Sequence, residues 1–283
     1  MTYSLLKFKR LVPSFIKNLL KNLLRYLEEK RRNRTITKTI DNITYCLDLR
    51  EAIDYEIYQN RCFEPSTTRA IKKLTKPGMV VLDIGANIGC HTLRLAKLVG
   101  LEGKVIAFEP MSWAFKKLKK NITLNNFNNI ITEKIALSDK TQNNTEIEFA
   151  CSWPINAQKS ELHPIHKGKI MKDSANMETL DNYTNKNQIK KIDLIKLDTD
   201  GFELKILKGG LFSIRKYHPI IITEIGKYTL EEQGDHPEKM IDLLLNEKYR
   251  LCSESNLKPF SDKTSLLNSI PNKKTINIIA FPL

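Results

Sequence analysis

Two carboxylates, each directly after an apolar run, and the glycines between them are the residues whose types and spacing could do chemistry. Asp83 opens the pattern D-x-G-x-x-x-G, with glycines at Gly85 and Gly89, and Glu109 follows the next apolar run. Glycine lets the backbone turn sharply and approach a ligand where a Cβ would collide, and Glu109 can accept hydrogen bonds from a ribose diol. This order is typical of the nucleotide-binding half of a doubly wound sheet.

The leading acid also indicates which nucleotide would bind. A dinucleotide fold carries G-x-G-x-x-G around a pyrophosphate, and a carboxylate at Asp83 would repel that group. It suits the ammonium of a methionine moiety instead. Asp83 with Glu109 therefore predicts S-adenosylmethionine, which carries amine, carboxylate and ribose but no phosphate. The alternative that stays open is an ordinary βαβ unit with a glycine turn.

The hydrophobic pattern predicts the elements that must position these residues, with strands and amphipathic helices in alternation. Core strands are predicted at 79–82, 104–108, 130–137, 192–197 and 219–225, helices at 90–99, 113–125, 202–208 and 240–248, and last strands at 249–253 and 275–281. Upstream of them, a hairpin is predicted at 35–49 and helical cover at 50–74, broken at Glu64-Pro65. The prediction is an α/β fold: a doubly wound, seven-stranded, mostly parallel sheet with a C-terminal antiparallel hairpin.

Polar residues also stand at the carboxyl end of every predicted core strand after the first two. They are Ser138 and Asp139, Asp198, Thr199 and Asp200, and Thr223 and Glu224. Ligands of open α/β sheets lie beyond the carboxyl ends of the strands, so Asp139 is expected at an adenine amino group. Asp198, Asp200 and Glu224 are expected to converge where a sulfonium methyl would point, as a base for a hydroxyl proton or as ligands of a divalent metal. Glu203 is expected only to cap the next helix.

These motifs, taken in order, resemble the FkbM family of methyltransferases. They are V-L-D-I-G-A-N-I-G at 81–89, A-F-E-P at 107–110, A-L-S-D at 136–139, I-K-L-D-T-D-G at 195–201 and E-x-x-I-L-K-G at 203–209. The resemblance runs from about residue 64 to the C-terminus. It implies a class I methyltransferase fold, S-adenosylmethionine as donor, and methylation of a hydroxyl on a sugar, glycolipid, polyketide or peptide.

Site residues follow from the resemblance by position. The implied cofactor residues are Asp83, Gly85, Ala86, Asn87, Gly89, Glu109, Pro110, Ser138 and Asp139, and the candidate catalytic residues are Asp198, Asp200 and Glu224. Asp200 departs from the family, which usually has Glu there, and its shorter arm keeps the charge while altering the geometry. His91 stands where an aromatic is common, either at the methionine carboxylate or in simple packing. No metal ligand set is predicted, although a metal held by carboxylates stays open.

The net charge of +14 belongs mostly to an N-terminal arm, residues 1–34. This arm holds ten lysines and arginines against two glutamates, and its apolar residues recur at helical spacing. A basic amphipathic helix of this kind can lie on an anionic membrane, pack on its own domain, or form a dimer contact; nucleic acid is a less favoured partner. The oligomeric state is not indicated.

Five scattered cysteines without a C-x-x-C, and no clear signal peptide, favour the cytoplasm, with the arm at the inner membrane face.

The predicted organisation is the arm 1–34, a hairpin and helical cover at 35–75, and a methyltransferase domain at 76–283. Within the last, residues 140–190 form an insertion with a strand at 146–151, a polar loop to His166 and a helix from about Thr179. Trp153 could stack on a sugar, and His163 with His166 is read as a loop pair. The insertion is expected to select the acceptor.

Three functions remain open at this stage. The leading hypothesis is an O-methyltransferase acting on a glycan or lipid-linked saccharide. The basic charge alone would suit an RNA methyltransferase, whose binding to RNA falls steeply with salt. A non-catalytic cofactor-binding scaffold would bind the donor without turnover.

Overall fold

The computed structural model describes residues 32–154 and 168–283 together with positions 19, 23, 30 and 162. Its core is a seven-stranded sheet in the order β11-β12-β10-β9-β3-β4-β5. These strands are β3 (Val80–Ile84), β4 (Lys104–Phe108), β5 (Ile130–Glu133), β9 (Leu194–Leu197), β10 (Ile220–Ile225), β11 (Tyr249–Ser253) and β12 (Ile276–Pro282). The first five pair in parallel, and β12 is antiparallel to β10 and β11. The predicted α/β class I architecture is therefore confirmed.

Helices cover both faces of this sheet because its strands are apolar on both sides. On one face Val81, Leu194 and Ile222 pack against α2 (Pro65–Leu74) and α3 (Cys90–Val99). The other face packs against a larger set of helices. They are α5 (Leu180–Lys186), α6 (Glu203–Gly209), α7 (Leu211–Tyr217), α8 (Lys227–Glu232), α9 (Pro237–Asn246) and α10 (Lys263–Ser269). Each such fully buried Leu or Ile contributes about 1.5–3 kcal/mol to the stability of the fold. This packing holds in place the strand ends that form the site.

The predicted hairpin at 35–49 is confirmed as β1 (Thr35–Ile40) and β2 (Ile43–Asp48). Its two-residue turn, Asp41-Asn42, has φ values of 51° and 58°, which residues of these types tolerate in a hairpin. The helical cover is α1 (Ala52–Asn60) followed by α2. The hairpin is held to α4 (Ser112–Thr123) by Asn121, whose Oδ1 accepts a hydrogen bond from the Cys46 N–H at 2.8 Å.

The predicted strand at 130–137 is wrong as a single strand. It breaks at Lys134, so that β5 stays in the main sheet while β6 (Ile135–Ser138) joins a second sheet ordered β6-β8-β7. The insertion supplies β7 (Gln142–Ser152) and β8 (Lys169–Thr179), which pair antiparallel. The predicted strand at 146–151 is therefore part of a longer one. β8 was not predicted, because its sequence is largely polar and only Ala175 and Met177 are buried.

Three short helices, α7, α8 and α10, also escaped prediction. The predicted amphipathic helix of the arm lies outside the described residues apart from positions 19, 23, 30 and 32, and so do His163 and His166. Among the residues that are described, none belongs to a helix with the length and apolarity needed to cross a membrane.

Candidate functional site

A cavity of about 480 Å³ lies at the carboxyl ends of β3, β4 and β9, where the chain order of the sheet reverses. Such a reversal is where open α/β sheets bind ligands. The second sheet forms its opposite wall through β7. Eight of the twelve predicted site residues line it: Gly85, Asn87, Glu109, Pro110, Ser138, Asp139, Asp198 and Asp200. The other four, Asp83, Ala86, Gly89 and Glu224, do not line this cavity.

The loop after β3 requires glycine for a steric reason. Gly85 has a φ of 81°, and a Cβ there would lie 1.8 Å from the carbonyl oxygen of Asp198. The loop N–H groups of Gly85 and Ala86 donate to the Phe108 carbonyl oxygen at 3.0 and 2.9 Å. The side-chain Oδ1 of Asn87 is buried, with no hydrogen-bond partner in the described part of the chain. The loop thus brings backbone and an unused acceptor to the cavity wall.

Glu109 is a buried carboxylate fixed by two backbone donors. Its Oε2 accepts from the Asn87 N–H at 2.8 Å and its Oε1 from the Met111 N–H at 2.9 Å. Burial raises the pKa of Glu109 to about 7, although these two hydrogen bonds oppose the rise. Each oxygen keeps a lone pair, so the group can accept a further hydrogen bond on both sides. This is the geometry that a vicinal diol can use.

Asp83 lies behind the glycine loop instead of on the cavity wall. The strand continues to Ile84, so the Asp83 side chain belongs to the covered face of the sheet. There it is fully buried, and its Oδ2 accepts from the Thr92 hydroxyl at 2.5 Å. The Lys196 Nζ lies 3.8 Å from its Oδ1. Its contact with a ligand amine stays a prediction, and any such contact would have to cross the loop.

The loop 198–201 brings two carboxylates, Asp198 and Asp200, to the cavity. It is shaped by Glu203, whose Oε1 accepts from the Thr199 N–H at 2.7 Å and whose Oε2 accepts from the Gly201 N–H at 3.0 Å. Burial raises the pKa of Glu203 to about 7. Glu203 thus stands in the first turn of α6 but binds the loop before it, a structural role that differs from the predicted helix cap. Asp200 has a φ of 51°, a conformation that Asp tolerates better than most residues.

Glu224 opens onto a second cavity of about 440 Å³. The lining of this cavity is acidic and rich in hydroxyls: Glu64, Glu224, Ser253, Glu254, Ser255, Phe260, Ser269, Thr275, Ile276 and Asn277. Burial, and then repulsion from Asp198, Asp200 and Glu203, raises the pKa of Glu224 well above its usual value. The three predicted catalytic acids are therefore electrostatic neighbours, but they face two cavities.

His91 packs at the edge of this acidic region. It is buried, and its Nε2 lies 3.3 Å from Glu64 Oε2. Burial alone would raise the pKa of Glu64, but the hydrogen bond with His91 and the charge of Lys196 contribute to a net lowering of that pKa. In the described part of the chain, no group of three or more His, Cys, Asp or Glu residues is arranged to hold a metal ion.

Sequence reasoning missed a clamp between the helical cover and the insertion. Both carboxylate oxygens of Glu51 accept from the Ser152 hydroxyl at 2.9 Å, and Oε2 also accepts from the Trp153 N–H at 2.8 Å. The Ala52 N–H donates to the Trp153 carbonyl oxygen at 2.8 Å. The clamp sets the backbone of Trp153, which lines the first cavity. Nothing local in the sequence pairs two segments this far apart.

Two family models, both of methyltransferases, match parts of the chain. A family model described as the methyltransferase FkbM domain matches residues 83–251. A second, protein-L-isoaspartate(D-aspartate) O-methyltransferase, matches residues 21–142 and so ends before β8 and β9.

Two fungal proteins are similar to the chain along much of its length. Methyltransferase 1 of Beauveria bassiana (strain ARSEF 2860) is 23% identical over 176 residues, which cover 56% of this chain and 66% of that protein. This match spans just under two thirds of the relative's length. Methyltransferase sdnD of Sordaria araneosa is 25% identical over 222 residues, covering 68% of this chain and 79% of that protein.

Solved structures resemble the chain more loosely. Methyltransferase FkbM from Methylobacillus flagellatus KT has 14% identity and a TM-score of 0.45, over 81% of this chain and 59% of that one. A SAM-dependent O-methyltransferase from Thermotoga maritima has 14% identity and a TM-score of 0.44, over 88% and 77%.

Proposed function

This chain belongs to the FkbM methyltransferase family, and we propose that it transfers the methyl group of S-adenosylmethionine to a hydroxyl of a glycan, glycolipid or related natural product. One observation carries the proposal. A single cavity contains both the carboxylate suited to a ribose, Glu109, and the carboxylates suited to a reacting hydroxyl, Asp198 and Asp200. Donor and acceptor groups could therefore meet in it.

The residues present fit S-adenosylmethionine. Asn87 Oδ1 is an unused buried acceptor beside the glycine loop, which suits the ammonium of the methionine moiety. Glu109 would hold the ribose hydroxyls, and Ser138 with Asp139, on the same cavity wall, would meet the adenine. The cavity volume also falls within the range of about 300–1,000 Å³ that is usual for small-molecule sites. When bound, this cofactor supplies an electrophilic methyl group on a sulfonium.

The acceptor hydroxyl is aligned and deprotonated by the chain's own carboxylates. In-line displacement requires the hydroxyl to be held in one orientation, and Asp198 and Asp200 can do this from the rigid end of β9. Burial raises the pKa of Asp198, and Lys196 opposes that rise. A carboxylate with a raised pKa is a better base, so Asp198 is the group we assign to accept the hydroxyl proton.

The second cavity supports a polyhydroxylated acceptor. Its hydroxyl and amide side chains, from Ser253, Ser255, Ser269, Thr275 and Asn277, offer many hydrogen bonds. Glu224 would orient the part of the acceptor that lies there. The isoaspartate-methyltransferase match ends at residue 142, so it covers most of the proposed donor half and stops before the loop 198–201. We place the reaction in the cytoplasm, at the inner membrane face if the arm binds lipid.

Two measurements test the proposal. Calorimetry should show S-adenosylhomocysteine binding by the native chain, at least about tenfold weaker binding by Glu109→Ala, and unchanged binding by Glu102→Ala, an exposed glutamate before β4. Asp198→Asn should keep the binding and lose the methylation.

The acceptor is found by mass spectrometry of surface glycans and lipids from cells with the native gene, with no gene, or with Asp198→Asn. A methyl group present only with the native gene names the acceptor. No binding of S-adenosylhomocysteine by the native chain would refute the proposal.

A further inference from the structure

Lys196 is a buried lysine at the meeting point of the two halves of the site. Its Nζ lies 3.1 Å from Asp198 Oδ2 and 3.8 Å from Asp83 Oδ1, and it donates to the Gly85 carbonyl oxygen at 3.3 Å. Its side chain is 5% exposed. One ammonium thus contacts the glycine loop, the acid behind it and the proposed base.

We propose that Lys196 is a positioning residue that holds Asp198 at the cavity and sets the charge at the methyl end of the donor. The proposal rests on the proposed function, because it assumes S-adenosylmethionine as the donor. It adds a role for a residue that the sequence pattern did not single out.

Sheet register explains why these charges meet. Asp83 and Lys196 are direct partners in the parallel pairing of β3 with β9. Side chains two residues apart on a strand point to the same face, so Lys196 and Asp198 share a face as well. That face is covered by α3, whose Thr92 hydroxyl donates to Asp83. Water is excluded there, and an ion pair is screened far less than at the surface.

The lysine stays charged in this position. Burial alone would lower its pKa, but the charges of Asp198, Asp83 and Glu64 outweigh burial and raise that pKa. Removing the ammonium would leave the fully buried Asp83 and the partly exposed Asp198 without this counter-ion, which is unfavourable above all for the buried carboxylate. Lys196 is therefore the counter-charge that permits two acids so close to the glycine loop.

The charge around Lys196 should affect the binding of the two forms of the cofactor differently. S-adenosylmethionine carries a positive sulfonium, whereas the product S-adenosylhomocysteine carries a neutral thioether at the same position. The two ligands share the amine, carboxylate, ribose and adenine, so effects on those contacts cancel when the two affinities are divided. The ratio of the two affinities therefore reports the charge near the sulfur.

The experiment is calorimetric titration of both ligands at one fixed pH, with four variants. Lys196→Met adds net negative charge and should raise the ratio in favour of S-adenosylmethionine by about tenfold. Asp83→Asn should shift it about tenfold the other way. The double variant Asp83→Asn with Lys196→Met restores the native net charge and should return the ratio to within about twofold of native. Lys191→Met is the matched control, because Lys191 pairs with Asp193 near the other end of β9 and should leave the ratio unchanged.

Equal changes in both affinities for Lys196→Met would show a merely structural role and overturn the proposal. Should that variant fail to fold, the opposite shift in Asp83→Asn and its return in the double variant still decide the matter. A native chain that binds neither ligand would refute the proposed function instead.

Discussion

Glu109 shows how a single buried carboxylate can make the site sensitive to pH. It lies at the end of a central strand, 5% exposed, with one backbone donor on each oxygen. Two hydrogen bonds do not compensate for its burial, so its pKa is raised to about 7. At neutral pH a large fraction of this group is protonated in the free protein.

We expect S-adenosylhomocysteine to bind more tightly as the pH rises towards 7, and the affinity to level off above it. Ribose hydroxyls donate to the carboxylate and favour its charged form, so binding lowers the pKa and releases a proton. Below the free-protein pKa the affinity should rise by up to about tenfold per pH unit. Glu109→Gln should bind weakly and lose this dependence, whereas Glu102→Gln should keep it. Calorimetry across the pH range, in buffers of different ionisation enthalpy, measures both effects, and a pH-independent native affinity would contradict the expectation.

The sequence predicted correctly which carboxylates reach the first cavity when the residue follows a strand, and incorrectly when the residue lies inside a strand. Glu109 and Asp198 stand beyond their strand ends and reach the cavity. Asp83 was expected in the turn, but β3 extends past it, and its side chain lies against Thr92. Glu224 lies within β10, beside Thr275, whose hydroxyl donates to it, and faces the second cavity. The alternation of a strand, which the end of an apolar run does not reveal, decides where such a carboxylate points.

The contact between the end of β7 and Glu51, just before α1, supports one wall of the first cavity. Glu51 accepts from two donors, the Ser152 hydroxyl, which lies at hydrogen-bond distance from both carboxylate oxygens, and the Trp153 N–H. Glu51 also forms an antiparallel bridge with Pro154. Hydrogen bonds to a charged group contribute about 1.5–3 kcal/mol each at most. The clamp joins the helical cover to the insertion that we expect to select the acceptor.

Loss of the clamp should both destabilise the chain and move Trp153. Glu51→Ala is expected to lower the free energy of unfolding by about 2 kcal/mol. Because the chain has two tryptophans, a Trp113→Phe background makes Trp153 the sole tryptophan, and its emission should shift to the red as water reaches it. Urea unfolding followed by this emission gives both quantities.

A double-mutant cycle with Ser152→Ala supplies the control for the clamp. Contacting residues are expected to show a coupling energy of about 1 kcal/mol. Additive effects of Glu51→Ala and Ser152→Ala, or an unchanged Trp153 spectrum, would contradict a clamp that positions this wall.

The strands that sequence reasoning missed or misplaced are those whose pairing partners are distant in the chain. The run 130–137 is apolar enough for one strand, yet Lys134 divides it because β6 pairs with β8, far along the sequence. The main-sheet strands were predictable because each buries its own apolar side chains against helices next to it in sequence. The second sheet depends on pairing between segments that are polar individually, and polarity carries no signal of pairing.

At the scale of the whole molecule the charge and the apolar surface are unevenly distributed. The net charge of +14 is concentrated in residues 1–34. Two described positions of that arm, Leu19 and Leu23, are helical and 62% and 52% exposed. Residues four apart on a helix share one face. The described part of the chain therefore leaves a pair of leucines of the arm largely uncovered, beside an excess of basic charge.

We expect this arm to bind anionic membranes. In flotation assays, the full chain should bind vesicles rich in phosphatidylglycerol, and residues 35–283 alone should not. Apolar burial and charge both contribute to such binding, so Leu19→Ser with Leu23→Ser should weaken it by at least about tenfold, and added salt should weaken it further. The matched control, Leu101→Ser, changes an exposed leucine in the turn before β4 and should leave binding intact. Equal flotation of the full and shortened chains would remove the reason for invoking lipid, and a change in oligomeric state on shortening would assign the leucines to a contact between copies.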